Sequence, residues 1–328
     1  TFCGAKHAIV TVSGTSALHA VIHMMGIGTG DEVLVPALTF IASVNAIAYT
    51  GAMPHFIDAE ATTLGVDVPK LTKYLHAISE RRPGGLYNKE TGRRIAAVMC
   101  MHAFGHPSDL DGLLALCDEF DIPLIEDAAE ALGSYYKGKH VGNHGHISVL
   151  SFNGNKVITT GGGGAILSND DAQADRARRI TTTSRIAHPY EFSHDEIAFN
   201  YRMPNLNAAV GCGQMLRLPG YLAQKRRLAE RYHTVFADIA GIDHVQEPAE
   251  CISNYWINVL LLQPGFESHR VPILEAANAV GIGCRAAWVP ISQLPMYAHC
   301  PKMDLSGTQD LYNRLINVPS SPHLMAES

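Results

Sequence analysis

The segment Ser151-Phe-Asn-Gly-Asn-Lys156 is followed closely by Thr159-Thr-Gly-Gly-Gly-Gly164, and apolar runs of strand length flank the two at Ile147–Ser151 and Ala165–Ser168. The four glycines allow a tight chain reversal and a close approach of neighbouring backbones. A lysine can form a Schiff base only when its amine is neutral, which requires burial or a nearby cation. Lys156 is therefore a candidate reactive residue just past a strand end. The alternative is a surface lysine before a flexible turn.

Strand-like and helix-like segments alternate along the first half of the chain. Besides the two strands that flank Lys156, the predicted strands are Ala8–Val12, Glu32–Val35, His55–Ile57, Ile95–Met101 and Ile122–Ile125. The predicted helices are Ala17–Met25, Ile41–Tyr49 and Leu110–Phe120. Such alternation predicts an α/β fold in which a mainly parallel sheet is sandwiched by helices.

The pattern changes toward the C-terminus. Arg217–Ala240 has a helical pattern, Tyr255–Leu262 alternates like a half-buried strand, and Pro272–Val280 is helical again. A chain of 328 residues suits one large domain with a smaller one. We therefore predict a large domain over residues 1–224 and a small α+β domain over residues 225–328.

Three segments depart from this organisation. Tyr74–Arg94 contains clusters of glycine, proline and polar residues that are typical of exposed turns. Thr1–Gly4 runs almost at once into an apolar strand, and Pro319–Leu324 resembles a loop. These abrupt ends predict that the chain is a fragment without its terminal segments.

Composition excludes several classes of partner. The net charge is −6 and no basic tract occurs, which argues against nucleic acid. No run approaches the ~20 apolar residues that a membrane-spanning helix needs. Seven scattered cysteines without a Cys-x-x-Cys pair indicate free thiols in a reducing cytoplasm. His19 and His23 lie four residues apart, but no acid or cysteine motif accompanies them, and no metal site is predicted.

A second candidate segment is Val10-Thr-Val-Ser-Gly-Thr-Ser-Ala17, where a strand ends, a turn follows and a helix begins. Free backbone N–H groups and the helix dipole make such a turn an anion site, and the hydroxyls of Ser13, Thr15 and Ser16 add donors. The alternative is an ordinary helix cap at Ser13 or Thr15.

A third candidate segment is Pro123-Leu-Ile-Glu-Asp-Ala128, in which an apolar strand delivers Glu126 and Asp127 at its carboxyl end. Open parallel sheets place ligand sites at that edge. A carboxylate there can keep a pyridine nitrogen protonated, which makes the ring an electron sink. A helix cap and a metal-binding carboxylate are the alternatives.

The order of these three segments resembles the DegT/StrS family of sugar aminotransferases, within the fold-type I pyridoxal-phosphate enzymes. The resemblance runs from about Gly4 to Leu324, and the Glu-Asp-Ala-Ala and Ser-Phe-x-x-x-Lys segments are its most specific parts. It implies that Lys156 carries pyridoxal 5′-phosphate as a Schiff base and then moves the proton during catalysis. It also implies that Asp127 pairs with the pyridine nitrogen.

The remaining cofactor contacts are also implied by the resemblance. Gly14, Thr15, Ser16 and Ser151 would bind the phosphate, and Phe40 would stack on the ring, although plain core packing is the alternative for Phe40. Glu130 occupies a position where the family often has His or Gln near the cofactor hydroxyl, so it is a departure from the family pattern.

The segment Phe199-Asn-Tyr-Arg-Met203 resembles the family loop that reaches a neighbouring subunit. Asn200 would then contact the partner's phosphate, and the protein would be a homodimer with two shared sites. The alternative is a structural Arg202 that holds a local turn.

A narrower resemblance concerns the substrate. Arg93–Ala97, His102–Pro107 and Asn153–Gly164 resemble the branch that makes 4-amino sugars for legionaminic-acid-type pathways. This implies a UDP-linked 4-keto-6-deoxy-N-acetylhexosamine as substrate and L-glutamate as amino donor. Three alternatives are a related sugar dehydratase, in which histidine typically replaces the lysine, a non-catalytic regulatory member, and an oxidoreductase, whose nicotinamide-binding loop is not found.

Overall fold

The structure, a computed structural model, describes residues 2–325 and contains eight α-helices in that range. They are α1 (Gly14–Met24), α2 (Ile41–Tyr49), α3 (Val68–Ile78), α4 (Leu110–Phe120), α5 (Asp171–Ile180), α6 (Asn205–Phe236), α7 (Arg270–Ala279) and α8 (Ser306–Arg314). Short 3-10 helices lie at Ala103–Gly105, Glu267–His269, Ile291–Gln293 and Pro322–Met325.

The strands of the same range form three sheets. They are β1 (His7–Thr11), β2 (Asp31–Pro36), β3 (Met53–Ile57), β4 (Ser79–Arg82), β5 (Gly85–Asn88), β6 (Arg94–Met101), β7 (Leu124–Asp127), β8 (Tyr135–Tyr136), β9 (Lys139–His140), β10 (Ile147–Ser151), β11 (Gly164–Ser168), β12 (Ile242–His244), β13 (Cys251–Ile252), β14 (Asn258–Leu262), β15 (Arg285–Ala286) and β16 (Leu315–Val318). Strands β13, β8 and β9 form a small sheet of their own.

The main sheet follows the strand order β1, β11, β10, β7, β6, β2, β3. Neighbours from β10 to β3 are parallel, whereas β11 is antiparallel to both β1 and β10. The predicted α/β fold with a mainly parallel sheet is therefore confirmed. The segments after β1, β2, β6, β7 and β10 meet along one edge of the sheet, as the carboxyl ends of parallel strands do. Gly164 begins β11 at that edge and pairs with Thr11 and Ser151.

Helices cover both faces of this sheet, so successive strand residues enter two different apolar cores. In β6, Val98 and Cys100 pack in one core, and Ala97 and Met99 pack in the other. All four side chains are fully buried. This two-sided burial explains why the central strands are continuous apolar runs in the sequence.

Most predicted elements are present with ends shifted by a few residues. Helices α2 and α4 and strand β10 have the predicted bounds. The strand predicted at Ile122–Ile125 lies instead at Leu124–Asp127, so its bounds were wrong. Proline at position 123 has no N–H to donate to a strand ladder. The ladder extends to Asp127 because this residue pairs with Met101 on one side and Val149 on the other.

The prediction of turns over Tyr74–Arg94 was wrong in part. Helix α3 continues to Ile78, and a hairpin of β4 and β5 follows, with Arg82 opposite Gly85. The hairpin joins the main sheet through Tyr87 opposite Arg94. Strand β4 is largely exposed, and in β5 one of the two buried positions is the polar Asn88, so neither strand shows an apolar alternation that would have predicted it.

A four-stranded sheet in the order β12, β14, β16, β15 follows helix α6. Its own small apolar core contains Ile242, Leu260, Leu262 and Ile316. Helix α6 begins at Asn205, twelve residues before its predicted start, and it runs unbroken through residues 224 and 225. The division into domains at residue 224 stays a prediction.

The seven cysteines are free thiols, and six of them are buried. Burial raises the pKa of Cys3 and of Cys117 to about 12, so both thiols remain protonated at neutral pH. Within residues 2–325, no helix is both long enough and apolar enough to cross a membrane.

His106, just after the 3-10 helix at Ala103–Gly105, should make the fold acid-sensitive. It is 1% exposed, and neither of its ring nitrogens has a hydrogen-bond partner among the described residues. Burial lowers its pKa from 6.5 to about 4; His244 lowers it further, whereas Glu247 opposes the change. Because the unfolded chain binds the proton more readily, stability is lost as the pH falls from 6.5 to about 4.

The free energy of unfolding of wild type should therefore fall as the pH is lowered across this range. In His106→Phe the fall should be smaller by roughly 3 kcal/mol. The measurement is urea unfolding at the two ends of the range. His140→Phe is the matched contrast, because burial also lowers the pKa of His140 to about 4 while its ring accepts the Gly133 N–H at 2.8 Å. That second variant should be less stable at both pH values. Equal acid sensitivity of wild type and His106→Phe would contradict the account.

Candidate functional site

The turn between β1 and α1 forms the first part of the site. Ser13 caps α1: its hydroxyl accepts a hydrogen bond from the Ser16 N–H at 3.0 Å and lies 2.8 Å from the Ser16 hydroxyl. A Cβ on Gly14 would stand 2.9 Å from the Ser151 Cβ, and one on Gly164 would stand 2.6 Å from the Gly14 nitrogen. These glycines therefore let the end of β10 approach the first turn of α1. Free N–H groups, hydroxyls and the helix dipole there can hold a phosphate.

Asp127 lies at the carboxyl end of β7 and is 3% exposed. One of its oxygens accepts the Ser43 hydroxyl at 2.6 Å, and the other accepts the Ala129 N–H at 3.1 Å. Burial raises the pKa of this carboxyl above its usual range, against the effects of these hydrogen bonds and of Lys156. A cation placed beside Asp127 would favour its ionised form.

Glu126 points to the opposite face of β7, as neighbouring residues of a strand do. Its carboxylate accepts the N–H groups of Gly142, His144 and Gly145 at 2.6–2.8 Å, and it lies 3.1 Å from the His102 ring. Burial alone would raise the pKa of Glu126, but His102 and the backbone N–H groups lower it to about 2. Glu126 therefore holds the loop at residues 142–145, while Asp127 is the carboxylate that belongs to the site.

The amine of Lys156 lies between a carboxylate and an aromatic ring. Its Nζ is 3.2 Å from an oxygen of Glu130, 3.9 Å from the ring centre of Trp256 and 6.0 Å from that of Phe40. The Lys156 side chain is only 10% exposed. Lys156 is therefore not a surface lysine, which was the alternative that the sequence allowed.

Glu130 is 2% exposed, and its second oxygen accepts the Phe104 N–H at 2.9 Å. Burial raises the pKa of Glu130 to about 7, Lys156 and the Phe104 N–H oppose this, and the Asp127 charge adds to it. Lys156 contacts Glu130 directly, and the parallel pairing of β7 with β10 brings Asp127 to the same edge of the sheet. No sequence pattern indicated that Glu130 would contact the lysine itself.

The segment Phe199–Met203 runs beside the end of β1. The Val12 N–H donates to the Tyr201 carbonyl at 2.8 Å, and Arg202 forms a β-bridge with Thr11. Asn200 is exposed. Backbone contacts thus fix the segment next to the turn at residues 13–16, which we call the phosphate turn. The role predicted for Asn200 stays a prediction.

Two residues of the site gave no signal in the sequence. Ser43, in the first turn of α2, contacts Asp127, and Trp256 contacts Lys156 although 100 positions separate them. Both contacts join segments that are distant in the sequence and come together only in the tertiary fold. An aromatic residue close to a candidate lysine can be recognised only when the fold is known.

These parts together suit a flat, phosphorylated pyridine cofactor. The phosphate turn and Ser151 offer an anion site, with Thr15 in the first turn of α1 beside them. Phe40 is 46% exposed, which leaves its ring free to cover a flat ligand. Asp127 is a buried carboxyl whose charge a pyridinium N–H would stabilise. Pyridoxal 5′-phosphate has the matching groups, and Lys156 supplies the amine that its aldehyde needs.

The chain as a whole is similar to known aminotransferases. The sequence model of the DegT/DnrJ/EryC1/StrS aminotransferase family matches residues 1–328. A GDP-perosamine synthase of Vibrio cholerae is 37% identical over 324 residues, which cover 98% of this chain and 83% of the relative. The putative pyridoxal phosphate-dependent aminotransferase EpsN of Bacillus subtilis is 33% identical over 327 residues, covering 98% of this chain and 80% of the relative.

The fold also has solved counterparts. A DegT DnrJ EryC1 StrS aminotransferase from Brucella abortus superimposes with a TM-score of 0.89 at 25% identity. The superposition covers 98% of this chain and 83% of the other. Nearly all of this chain therefore shares its fold with an aminotransferase.

Proposed function

This chain belongs to the DegT/DnrJ/EryC1/StrS aminotransferase family and is a pyridoxal-phosphate-dependent aminotransferase, and from this premise we propose the reaction that it catalyses. It transfers the amino group of L-glutamate to the keto carbon of a nucleotide-linked 4-keto-6-deoxy sugar. The observation that carries the proposal is the meeting of Lys156, Asp127 and the phosphate turn at one sheet edge.

The residues of the cleft divide the work of holding the cofactor. Gly14, Thr15, Ser16 and Ser151 bind the phosphate, and Phe40 covers one face of the ring. Asp127, oriented by Ser43, holds a proton on the pyridine nitrogen. When bound, pyridoxal phosphate supplies an electron sink for the carbon that bears the amino group.

Lys156 then acts as a general base and acid at its Nζ. It removes the α-proton of glutamate and delivers a proton on the cofactor side of the site, and it reverses these transfers when the keto sugar is aminated. Low exposure of the Lys156 side chain limits competition from water for that proton. The lysine also argues against the dehydratase alternative, in which a histidine is typical.

Substrate identity rests on two lines of support. The resemblance of three segments to the legionaminic-acid-type branch favours a UDP-linked N-acetylhexosamine derivative. The Vibrio cholerae relative is named for a GDP-linked sugar, and it supports the broader class of nucleotide-linked sugars. We propose the UDP-linked 4-keto-6-deoxy-N-acetylhexosamine as substrate.

The direct test follows 2-oxoglutarate formation from L-glutamate with UDP-linked and GDP-linked 4-keto-6-deoxy sugars. The proposal predicts the higher kcat/KM with the UDP-linked N-acetylhexosamine derivative. Preference for the GDP-linked sugar would overturn the assignment of the nucleotide. Consumption of glutamate without turnover of either sugar would overturn the 4-keto-6-deoxy class.

We propose further that two copies of the chain share their sites. Large apolar side chains are left 77–85% exposed near Asn200 in the sequence and on the first half of α6: Tyr190, Phe192, Ile197, Leu206 and Leu216. A second copy covering them would remove this apolar surface from water. Asn200 would then reach the phosphate held by the partner.

Shared sites predict complementation between two defective variants. Lys156→Ala should be inactive, and Asn200→Ala should bind the cofactor roughly ten-fold more weakly after loss of one hydrogen bond to a charged group. At limiting cofactor, co-expressed variants should regain about a quarter of wild-type activity, because half of the dimers have one complete site. A mixture no more active than the mean of its parents would contradict the shared site.

A further inference from the structure

We propose that Glu130 and Trp256 form a binding place for the free, protonated amine of Lys156, which we call the amine pocket. The proposal rests on the proposed function, because it concerns the intervals in which Lys156 is not bonded to the cofactor. Once the amine carries a proton, the ammonium group donates to Glu130 Oε1 and faces the indole ring of Trp256.

The contacts of Lys156 carry this proposal. The Lys156 Nζ lies 3.2 Å from Glu130 Oε1 and 3.9 Å from the centre of the Trp256 ring. An ammonium group within about 6 Å of an indole centre is attracted by the π-face, and a carboxylate attracts it through charge. The Glu130 side chain is 1% exposed and Trp256 is 7% exposed, so water weakens neither attraction much.

Asn254 joins the two walls of the pocket. Its side-chain N–H groups donate to the Glu130 carbonyl at 2.8 Å and to the Leu132 carbonyl at 3.0 Å, and its side-chain oxygen accepts the Trp256 N–H at 2.8 Å. The Trp256 indole N–H donates to the Asn155 carbonyl at 2.8 Å, next to Lys156 in the chain. Buried hydrogen bonds therefore fix both walls before the amine arrives.

A buried lysine, Lys225, holds the backbone of Trp256. The Lys225 side chain is 3% exposed and donates to the Trp256 carbonyl at 3.0 Å and to the Ser320 carbonyl at 2.6 Å. Burial lowers the pKa of Lys225 to about 8. This lysine belongs to the support of the pocket and does not face the cleft amine.

The proposed reaction requires a place that holds the Lys156 amine while it is not bonded to the cofactor. While Lys156 is not bonded to the cofactor, it first takes the α-proton as a neutral amine, and it must then hold that proton close to the reacting carbon until delivery. The Lys156 charge acts on the carboxyls of Glu130 and Asp127, and the His102 ring, just after β6, acts on Asp127 as well. The hold of Glu130 on the amine should strengthen as its carboxyl ionises near neutral pH, since burial raises its pKa to about 7.

The test uses the full chain after its cofactor has been removed. It measures the rate at which the chain forms a Schiff base with added pyridoxal phosphate, which we call uptake. Uptake needs the neutral amine of Lys156, so its rate rises with pH. The reaction of pyridoxal phosphate with butylamine in the same buffers corrects for the effect of pH on pyridoxal phosphate itself. Without the carboxylate, Glu130→Gln should reach half of its maximal rate about one pH unit lower than wild type. Trp256→Leu should reach half of its maximal rate about half a pH unit lower than wild type.

Trp256→Phe is the matched control, because it retains an aromatic face and should stay closer to wild type than Trp256→Leu. An unchanged pH profile in both Glu130→Gln and Trp256→Leu would overturn the pocket. Slower uptake at every pH, without a shifted midpoint, would also overturn it, because that is the signature of a structural role. If Glu130→Gln fails to fold, the two tryptophan variants decide between these outcomes by themselves.

Lys156→Ala separates this inference from the proposed function. That variant should form no Schiff base with pyridoxal phosphate at any pH in the range. Uptake at the wild-type rate would show that another residue reacts with the cofactor, and the proposed function would fail together with the pocket. Loss of uptake in Lys156→Ala, with unshifted profiles in the other variants, would leave the function standing and remove the pocket alone.

Discussion

Lys156→Ala should lower turnover by roughly 10⁴-fold or more, since one change removes both the covalent anchor of the cofactor and the base that moves the proton. The fold should survive, because the side chain lies in a cleft and contacts it through Glu130 and Trp256. The measurement is 2-oxoglutarate formation at saturating substrates, together with thermal unfolding of the same sample.

Lys73→Ala is the control for the loss of a lysine as such, because Lys73 is exposed on helix α3. It should keep wild-type turnover and stability. If Lys156→Ala turned over within about ten-fold of wild type, well inside the contribution of a positioned base, the assignment of the catalytic lysine would be wrong.

Asp127→Asn should lower turnover by about 10² to 10³, the scale of one lost electrostatic contact to developing charge. The neutral amide retains the shape of the side chain and can still accept the Ser43 hydroxyl that now lies 2.6 Å from the carboxylate. It cannot hold a proton on the pyridine nitrogen by charge, so the ring withdraws electrons less well. Steady-state kinetics and the dissociation constant of the cofactor measure the two effects.

The neighbouring Glu126→Gln variant separates this effect from a general loss of structure. Glu126 is fully buried and accepts three backbone N–H groups of the loop at residues 142–145, so its neutral form should lower stability by roughly 3 kcal/mol. A loss of cofactor affinity in Glu126→Gln that equals the loss in Asp127→Asn would contradict the division of roles along β7.

The sequence predicted the parts of the site that depend on local pattern. The turn before α1, the carboxylate at the end of β7 and the lysine after β10 each lie at or just past the end of an apolar strand. These strands could be recognised from composition, although the predicted end of β7 was two residues short. Their meeting followed from the parallel arrangement, which places such ends at one edge. The residue pattern alone did not separate Glu126 from Asp127. The family resemblance named Asp127, and the structure gives the two carboxylates different partners, Ser43 for Asp127 and the loop at residues 142–145 for Glu126.

The contacts that the sequence could not predict join distant segments. Trp256 reaches Lys156 only because the segment at residues 253–256 folds back against residues 103–105 and 130–134, held by Asn254 and Ser253. The hairpin of β4 and β5 has no apolar alternation and is stabilised by backbone pairing, so pattern analysis read it as turns. Such features depend on tertiary packing, which overrides local propensity.

The central claim is that Lys156 is the residue to which pyridoxal phosphate is bonded. The most direct measurement is borohydride reduction of the purified protein, followed by proteolysis and mass spectrometry of the labelled peptides. The account predicts a phosphopyridoxyl group on the peptide that contains Lys156, with loss of the label in Lys156→Ala. A label on another lysine, such as the buried Lys225, or no label after incubation with pyridoxal phosphate, would contradict it.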